Sequence, residues 1–188
     1  TGRKLKVNDA KKLSEEEIGK QLSDEHLIMA VQSDKAVIDF FHEQIDRIEK
    51  VVLKEVKLRY PYKELVTVPG IGEILGITIM LETGDINRFP TVSDYSSYCR
   101  CVSSKKISNG KKKGEGNKKN GNKYLAWAYV EAANFMVRYS EPARRWHQRK
   151  AAKTNKIVAI KALSNKIARA CYFIIKDQTP FDPKKLFQ

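Results

Sequence analysis

Cysteine and histidine are scarce in this chain of 188 residues, which contains three of each. An odd number of cysteines, with Cys99 and Cys101 in a C-x-C pair, provides neither a fully paired disulfide framework nor enough ligands for a structural zinc site. The histidines show no spacing typical of metal ligands. We therefore predict a cytoplasmic protein with reduced thiols and no cofactor bound by this chain itself.

Long apolar runs are also absent, because no stretch approaches the roughly 18 to 20 consecutive apolar residues that a membrane-spanning helix needs. No signal peptide is recognisable near the amino terminus. The chain opens with TGRKLKVND and lacks an initial methionine, so we expect further residues upstream of Thr1. The composition therefore argues against a membrane protein.

Acidic residues are nearly absent from one large segment. Between Cys99 and Lys176 the sequence contains twenty lysines and arginines but only three acids, so the segment carries a formal charge of +17. The whole chain carries +14, which leaves −3 for the remainder. Such clustering predicts a nucleic-acid partner and therefore a nucleoid-associated protein. A solvated basic surface is the alternative, and an anionic membrane is disfavoured because many of the lysines lie outside any amphipathic helix.

The densest part of that segment is KKISNGKKKGEGNKKNGNK, residues 105–123, with eight lysines, four glycines and four asparagines. A stretch with so few apolar side chains cannot bury a core, and its lysines can follow an extended polyanion. We interpret it as a flexible phosphate-binding loop. Ser108 is its only hydroxyl-bearing residue and lies where a nucleophile could approach a phosphorus atom.

A heptad pattern runs through residues 23–58. Its spacing of three and four is typical of a short coiled coil, and residues 1–60 would then form a connector that joins copies of the chain into a dimer or higher oligomer. A long helix that packs back on its own domain is the alternative. The apolar positions of the pattern are Ile38, Phe41, Ile45, Ile48 and Val52.

The sequence YKELVTVPGIGEILGITIMLETG resembles a helix-hairpin-helix element. In that motif, Gly70 and Gly72 would allow a tight turn whose backbone amides face a phosphate at the start of the second helix. The alternative is an ordinary pair of helices with glycine at the turn.

The remaining sequence predicts helices. Thr91 or Ser93 can cap a short helix, Asn122 precedes an apolar one, Pro142 lies near the start of a basic one, and a last helix begins near Asn155. No strand pattern persists long enough to build a sheet. We therefore predict an all-α fold in which residues 61–188 form a helical DNA-binding domain.

The order of PGIG, ETGDINRFP, YSSYCRCV and GNKYLAWAYVEAA resembles the carboxy-terminal domain of insertion-sequence transposases of the IS-one-ten type. Their relatives include the Piv invertases, and members are described as bridge-RNA-guided recombinases. The resemblance extends over about Leu65 to Asp182. It implies a two-part enzyme in which an acidic, RuvC-like domain binds magnesium, a coiled coil connects, and this domain carries a nucleophilic serine.

The family's serine maps to Ser108, with Ser103 and Ser104 as lesser candidates. The resemblance thus implies a DNA transposase or serine recombinase that acts with DNA, a guide RNA and magnesium held outside this chain. This chain alone is expected to be inactive. The competing function is a nucleic-acid-binding module without chemistry.

The basic helix around ARRWHQRK contains further residues that could bind a sugar-phosphate backbone. Its Trp146 could stack on a base. Tyr124, Tyr129 and Tyr139 could indicate a tyrosine recombinase, but their helical context favours core or stacking roles. Phosphate contacts by lysine carry no base information, so the target and guide sequences cannot be predicted. The predicted nucleic-acid-binding residues are Gly70, Gly72, Lys105, Lys106, Lys111, Lys112, Lys113, Lys118, Lys119, Asn122, Lys123, Arg144, Arg145 and Arg149.

Overall fold

Helices dominate the computed structural model, which describes residue 9 and residues 12–56, 60–102, 105–116 and 119–187. The predicted all-α class is confirmed, and within the described ranges the one sheet is a two-stranded hairpin. Contacts divide the structure into two units, Thr1–Lys54 and Glu55–Gln188. The connector and DNA-binding roles that the sequence analysis gave to residues 1–60 and 61–188 stay predictions.

The first unit contains a short and a long helix. Helix α1 (Glu15–Gln21) begins with a capping box, in which the Ser14 side chain accepts from the Glu17 amide and the Glu17 carboxylate accepts from the Ser14 amide. Helix α2 (Glu25–Val56) has 32 residues. Neither α2 nor any other helix in the described part of the chain is long and apolar enough to cross a membrane.

Four of the five heptad positions of α2 are exposed, and the fifth, Val52, is partly buried. Phe41 is 57% exposed, Ile45 is 48% exposed and Ile48 is 61% exposed. The predicted helix is thus present, and its apolar seam is open to a partner. Whether a second copy covers the seam stays a prediction.

The second unit consists of seven further helices and the hairpin among its described residues. A single turn of 3-10 helix (Ile86–Arg88) lies between Thr83 and Val92. The helices are α3 (Tyr60–Leu65), α4 (Glu73–Thr83), α5 (Val92–Tyr98), α6 (Lys123–Tyr139), α7 (Glu141–Lys153), α8 (Lys156–Asp177) and α9 (Pro183–Phe187).

Several of these helices begin where the sequence predicts, because short polar side chains cap them. Thr91 and Asp94 form a capping box at α5, and Asn155 accepts from the Val158 amide at α8. Asn122 caps α6 in the same way. Each cap satisfies amide groups that have no partner inside the helix.

The core of the second unit lies where α6 and α8 pack against each other and against α4, α5 and α7. A chain of hydroxyl groups crosses it, from Thr83 Oγ1 to the Tyr95 hydroxyl at 2.8 Å and on to the Tyr129 hydroxyl at 2.6 Å. All three side chains are fully buried. Because each hydroxyl has a partner, burial does not leave it unsatisfied.

All three cysteines are free thiols in this core, as predicted. Burial raises the pKa of Cys171 to about 12 and that of Cys101 to about 11. Burial likewise raises the pKa of Cys99, and the neighbouring Cys101 adds to the effect. Thiols so strongly protonated are poor nucleophiles and poor metal ligands.

Candidate nucleic-acid interface

The lysine-rich segment forms a β-hairpin, whereas the sequence analysis interpreted it as a flexible loop. Strand β1 (Lys105–Ser108) pairs antiparallel with β2 (Lys111–Glu115). Asn109 and Gly110 link them with φ of 52° and 69°. Two successive residues with positive φ match the type I′ turn, which suits the twist of a two-residue hairpin and favours Asn-Gly. The Asn-Gly pair was the signal that the loop interpretation missed.

The hairpin register places Ser108 directly opposite Lys111, next to the turn. Both side chains are exposed, and cross-strand partners on one face have Cβ atoms about 4.5 to 5.5 Å apart. The pairing is irregular between Lys106 and Ile107, where Lys113 is the extra residue of the opposite strand. Ser108 therefore lies at a defined position beside a cation.

The other predicted lysines of this segment are unequally described. Lys113 and Lys119 are exposed. The backbones of Lys105, Lys106 and Lys112 lie in the strands, but their side chains are not described. Ser103, Ser104 and Lys118 lie outside the described residues.

The segment before α6 is tied to the end of α5. The Arg100 guanidinium donates to the backbone carbonyls of Lys119 and Gly121, the latter at 2.8 and 3.1 Å. The Asn122 amide donates to the Tyr98 carbonyl at 2.7 Å. These bonds hold the backbone of Lys119, Gly121 and Asn122 beside the end of α5.

Asn122, a predicted binding residue, is engaged inside the fold. Its side-chain oxygen accepts from the amides of Tyr124 and Leu125 at 2.8 and 3.0 Å. Its amide nitrogen donates to Glu82 at 2.6 Å. The side chain therefore acts as the cap of α6, and its contact with nucleic acid stays a prediction without support from this geometry.

Gly70 and Gly72 differ in their backbone conformation and in the space around a possible side chain. Gly70 has φ of 92°, and a Cβ there would lie 2.3 Å from the Ala132 carbonyl oxygen and 2.7 Å from the Met136 amide nitrogen. Glycine is thus needed at position 70 for close packing on α6. Gly72 has φ of −88°, and a Cβ there would meet no atom within 4 Å, so no constraint of the fold requires glycine at this position.

The start of α4 carries both a feature that favours phosphate and one that opposes it. Gly72 is its N-cap and is exposed, so the first-turn amides lie near the surface. Glu73 follows in the first turn, and its carboxylate occupies the side of the helix dipole that an anion would seek. The phosphate role of this turn stays a prediction.

On α7, one of the predicted arginines is engaged in the corner between two helices. Arg144 donates to the carbonyls of Val137 and Arg138 at 3.3 and 2.7 Å and to Glu141 at 3.1 Å. Arg145 donates to the other Glu141 oxygen at 2.9 Å. This hydrogen bond, assisted by the positive charge of both arginines, lowers the pKa of Glu141.

The outer face of α7 is more open. The side chain of Arg145 is 72% exposed, and Arg149 is exposed as well. Both guanidinium groups are therefore accessible to a phosphate backbone. A phosphate that bound Arg145 would replace Glu141 as its hydrogen-bond acceptor.

Trp146, predicted to stack on a base, packs instead against the core. Its ring centroid lies 6.5 Å from that of Phe187, and Lys166 Nζ lies 5.8 Å from it. Of the three tyrosines considered above, Tyr129 is fully buried, whereas Tyr124 is 52% exposed and Tyr139 is 76% exposed. Burial raises the pKa of Tyr129, which makes its hydroxyl unsuitable as a nucleophile.

Residues 62–148 match the profile of the family described as Transposase IS116/IS110/IS902 family. The match contains the Gly70 turn, the hairpin and both arginines of the α6–α7 corner. Residues 62–148 therefore correspond to a transposase domain of this family. The resemblance drawn from the sequence motifs is thereby confirmed.

A curated protein of Pseudomonas aeruginosa, described as a probable family 20 transposase, is 24% identical to the chain over 144 residues. The alignment covers 74% of this chain and 43% of that protein. The chain thus spans less than half the length of this relative.

Helix α6 organises the candidate residues of the transposase domain. The hairpin segment enters at its amino end, the Gly70 turn packs near Ala132, and Arg144 closes its carboxyl end. With 17 residues, α6 is about 25 Å long. The candidates are therefore distributed along the helix rather than gathered in one cleft, and about 25 Å corresponds to roughly seven base pairs of duplex.

Among the residues that the structure describes, no group of three or more His, Cys, Asp or Glu side chains is close enough together to hold a metal ion. The described side chains thus offer no fit for the magnesium that the resemblance implies.

Proposed function

We propose that this chain is part of a DNA transposase that binds DNA through its basic segment and uses Ser108 to cut and rejoin strands. The observation that carries the proposal is an exposed serine beside the turn of a lysine-rich hairpin, opposite Lys111. This hairpin lies within the family match. A transposase acts on chromosomal DNA, so the location that fits this role is the nucleoid.

The proposed step is a transesterification at phosphorus. Ser108 Oγ loses its proton and forms an ester bond to phosphorus, while the bond from phosphorus to one strand end breaks and that end leaves as a hydroxyl group that takes up a proton. The reverse step, with a new strand end as the attacking hydroxyl, rejoins DNA and frees the serine. Lysines around the hairpin stabilise the additional negative charge of the transition state.

Magnesium and a guide RNA enter the proposal through the resemblance. Magnesium would be bound by an acidic domain outside these 188 residues, and the guide RNA would share the basic surface with DNA. A second copy of the chain would pack on the exposed α2 seam. The exposure of Phe41, Ile45 and Ile48 supports this last point.

The decisive experiment substitutes Ser108→Ala in the full-length protein, supplied with magnesium, guide RNA and a cognate DNA pair. Recombination and protein-linked DNA in denaturing gels should both disappear, because the covalent attacker is removed. DNA affinity should hold, since lysines provide the electrostatic attraction. Stability should change by less than about 0.5 kcal/mol, as expected for an exposed position.

Ser103→Ala and Ser104→Ala are the matched controls and should recombine. If Ser108→Ala recombines at the parental rate while one of these controls is inactive, the nucleophile lies upstream. If all three variants and the parent form no adduct yet bind DNA, the protein is a binding module. That second candidate function is favoured by the +17 charge of the segment from Cys99 to Lys176, which by itself supports binding and not chemistry.

A further inference from the structure

One face of α6 presents aromatic rings to solvent. Tyr124 is 52% exposed, Trp127 is 48% exposed, and Tyr139 at the end of the helix is 76% exposed. Tyr124, Trp127, Glu131, Phe135 and Tyr139 follow one another at steps of three or four residues, so they lie on one side of the helix. We call this surface the aromatic face, and it consists of Tyr124, Trp127, Glu131, Phe135, Arg138 and Tyr139.

Cations accompany the rings of the aromatic face. Lys123 Nζ lies 4.8 Å from the ring centroid of Tyr124, and the Arg138 guanidinium lies 5.6 Å from that of Phe135. Phe135 and Tyr139 stack with centroids 6.3 Å apart and planes within 10° of parallel. Rings with adjacent positive charge are the combination that binds unpaired bases and their phosphates.

The charge of the surroundings decides between nucleic acid and a protein partner. Exposed tryptophan and tyrosine also occur in protein interfaces. However, the face belongs to the segment from Cys99 to Lys176, which carries twenty cations and three acids, one of them Glu131 on the face itself. Two copies of this segment would therefore repel each other. A single strand of nucleic acid is both attracted by this charge and able to stack.

We infer that the aromatic face binds unpaired nucleobases, which stack on Tyr124 and Trp127. The inference rests on the proposed function only for the class of ligand. It assigns the bases to α6, whereas the hairpin lysines contact phosphates. A duplex, whose bases are already stacked on each other, would use the lysines without using these rings.

Trp127 reports directly on this contact, because the chain contains only one other tryptophan, Trp146. In the Trp146→Phe variant of the 188-residue chain, Trp127 fluorescence should be strongly quenched at saturation with an oligothymidylate. A duplex of mixed sequence, bound to saturation, should leave it nearly unchanged. Binding itself is followed separately by the anisotropy of a dye on the nucleic acid.

Affinity measurements provide the second arm. Trp127→Leu and Tyr124→Leu should each weaken oligothymidylate binding by about tenfold while duplex binding holds, because one stacked base is lost in each case. Phe173→Leu is the matched control, since Phe173 is 44% exposed on α8, and it should bind like the parent.

The outcomes separate the two proposals. No binding by anisotropy overturns the nucleic-acid function itself. Saturated binding without quenching, or an equal loss for Phe173→Leu and Trp127→Leu, overturns only the role of the aromatic face. Fluorescence that changes with protein concentration in the absence of nucleic acid would make the face a protein interface and would also overturn it.

Discussion

At the scale of single residues, the core buries several cysteine thiols and tyrosine hydroxyls in their protonated form. Burial raises the pKa of Cys101 and Cys171 above the ordinary 9.0 and raises those of Tyr95 and Tyr129 well above 10.0. In the unfolded chain these groups would lose their protons at lower pH. Folding stability is therefore linked to their titration.

We expect the free energy of unfolding to fall as the pH rises above 9. The unfolded state then binds fewer protons than the folded state. Between its unfolded and its folded pKa, each group therefore lowers the free energy of unfolding by about 1.4 kcal/mol per pH unit. For Cys171 this window runs from 9.0 to about 12. Below pH 9 the contribution is fully present.

Urea unfolding at a series of pH values tests this linkage. Cys171→Ala should make the decline above pH 9 shallower, because one of the titrating groups is gone, whatever the variant costs at neutral pH. A free energy of unfolding that stays constant up to about pH 11 in the parent would contradict the raised pKa values.

Residue patterns predicted local structure better than tertiary contacts. The caps Thr91, Asn122 and Asn155 lie where the sequence places them, since a cap depends on neighbours within one turn. The packing of Trp146 on Phe187 depends on α9, which is remote in sequence from α7. No local pattern could indicate that the ring faces the core.

At the scale of elements, the turn before α4 allows one sharp test of phosphate binding. Gly72→Val should weaken duplex binding by about two- to fivefold, because a branched side chain at the N-cap blocks access to the first-turn amides. The fold should persist, with a cost within about 1 kcal/mol. Fluorescence anisotropy with a labelled duplex and urea unfolding measure the two quantities.

Gly70→Ala is the contrasting variant. Its Cβ would meet the backbone of Ala132 and Met136, so a loss of about 2 to 4 kcal/mol in stability is expected. If Gly72→Val folds and binds duplex like the parent, the turn is a structural joint between α3 and α4 and the helix-hairpin-helix interpretation is wrong.

The hairpin shows why an element can escape prediction. Lysine and glycine have low strand propensity, and they make up six of the nine residues of β1 and β2. The local information lies in the two turn residues, whose positive φ fixes the pairing of their neighbours. The composition was enough to predict the positive charge of this segment. Its hairpin structure depends on Asn109 and Gly110.

At the scale of the whole molecule, the charge distribution predicts binding without catalysis for this chain alone. It should bind DNA with an affinity that falls steeply with salt, since each phosphate neutralised contributes a slope of about −0.9 in the logarithmic plot. It should cleave nothing when magnesium is added, because the described residues form no metal site. Gel shifts over a salt series and a nicking assay on supercoiled DNA measure the two properties.

Efficient magnesium-dependent nicking by the purified chain would refute that expectation. A nicking activity that survives in Ser108→Ala would point to a contaminating nuclease, which a repeat purification with a high-salt wash should remove. Binding that is insensitive to salt would mean that the +17 segment does not contact phosphates.

The turn between β1 and β2 consists of only two residues, so a change in its length would alter the pairing of the strands. Inserting or deleting a single residue there would slide one strand past the other by one position and turn Ser108 to the opposite face of the hairpin. Mutational drift can therefore exchange lysines for arginines around Ser108 at little cost, but it cannot change the length of the turn. Among descendants of this gene, length variation should appear elsewhere in the lysine-rich segment before it appears at Asn109–Gly110.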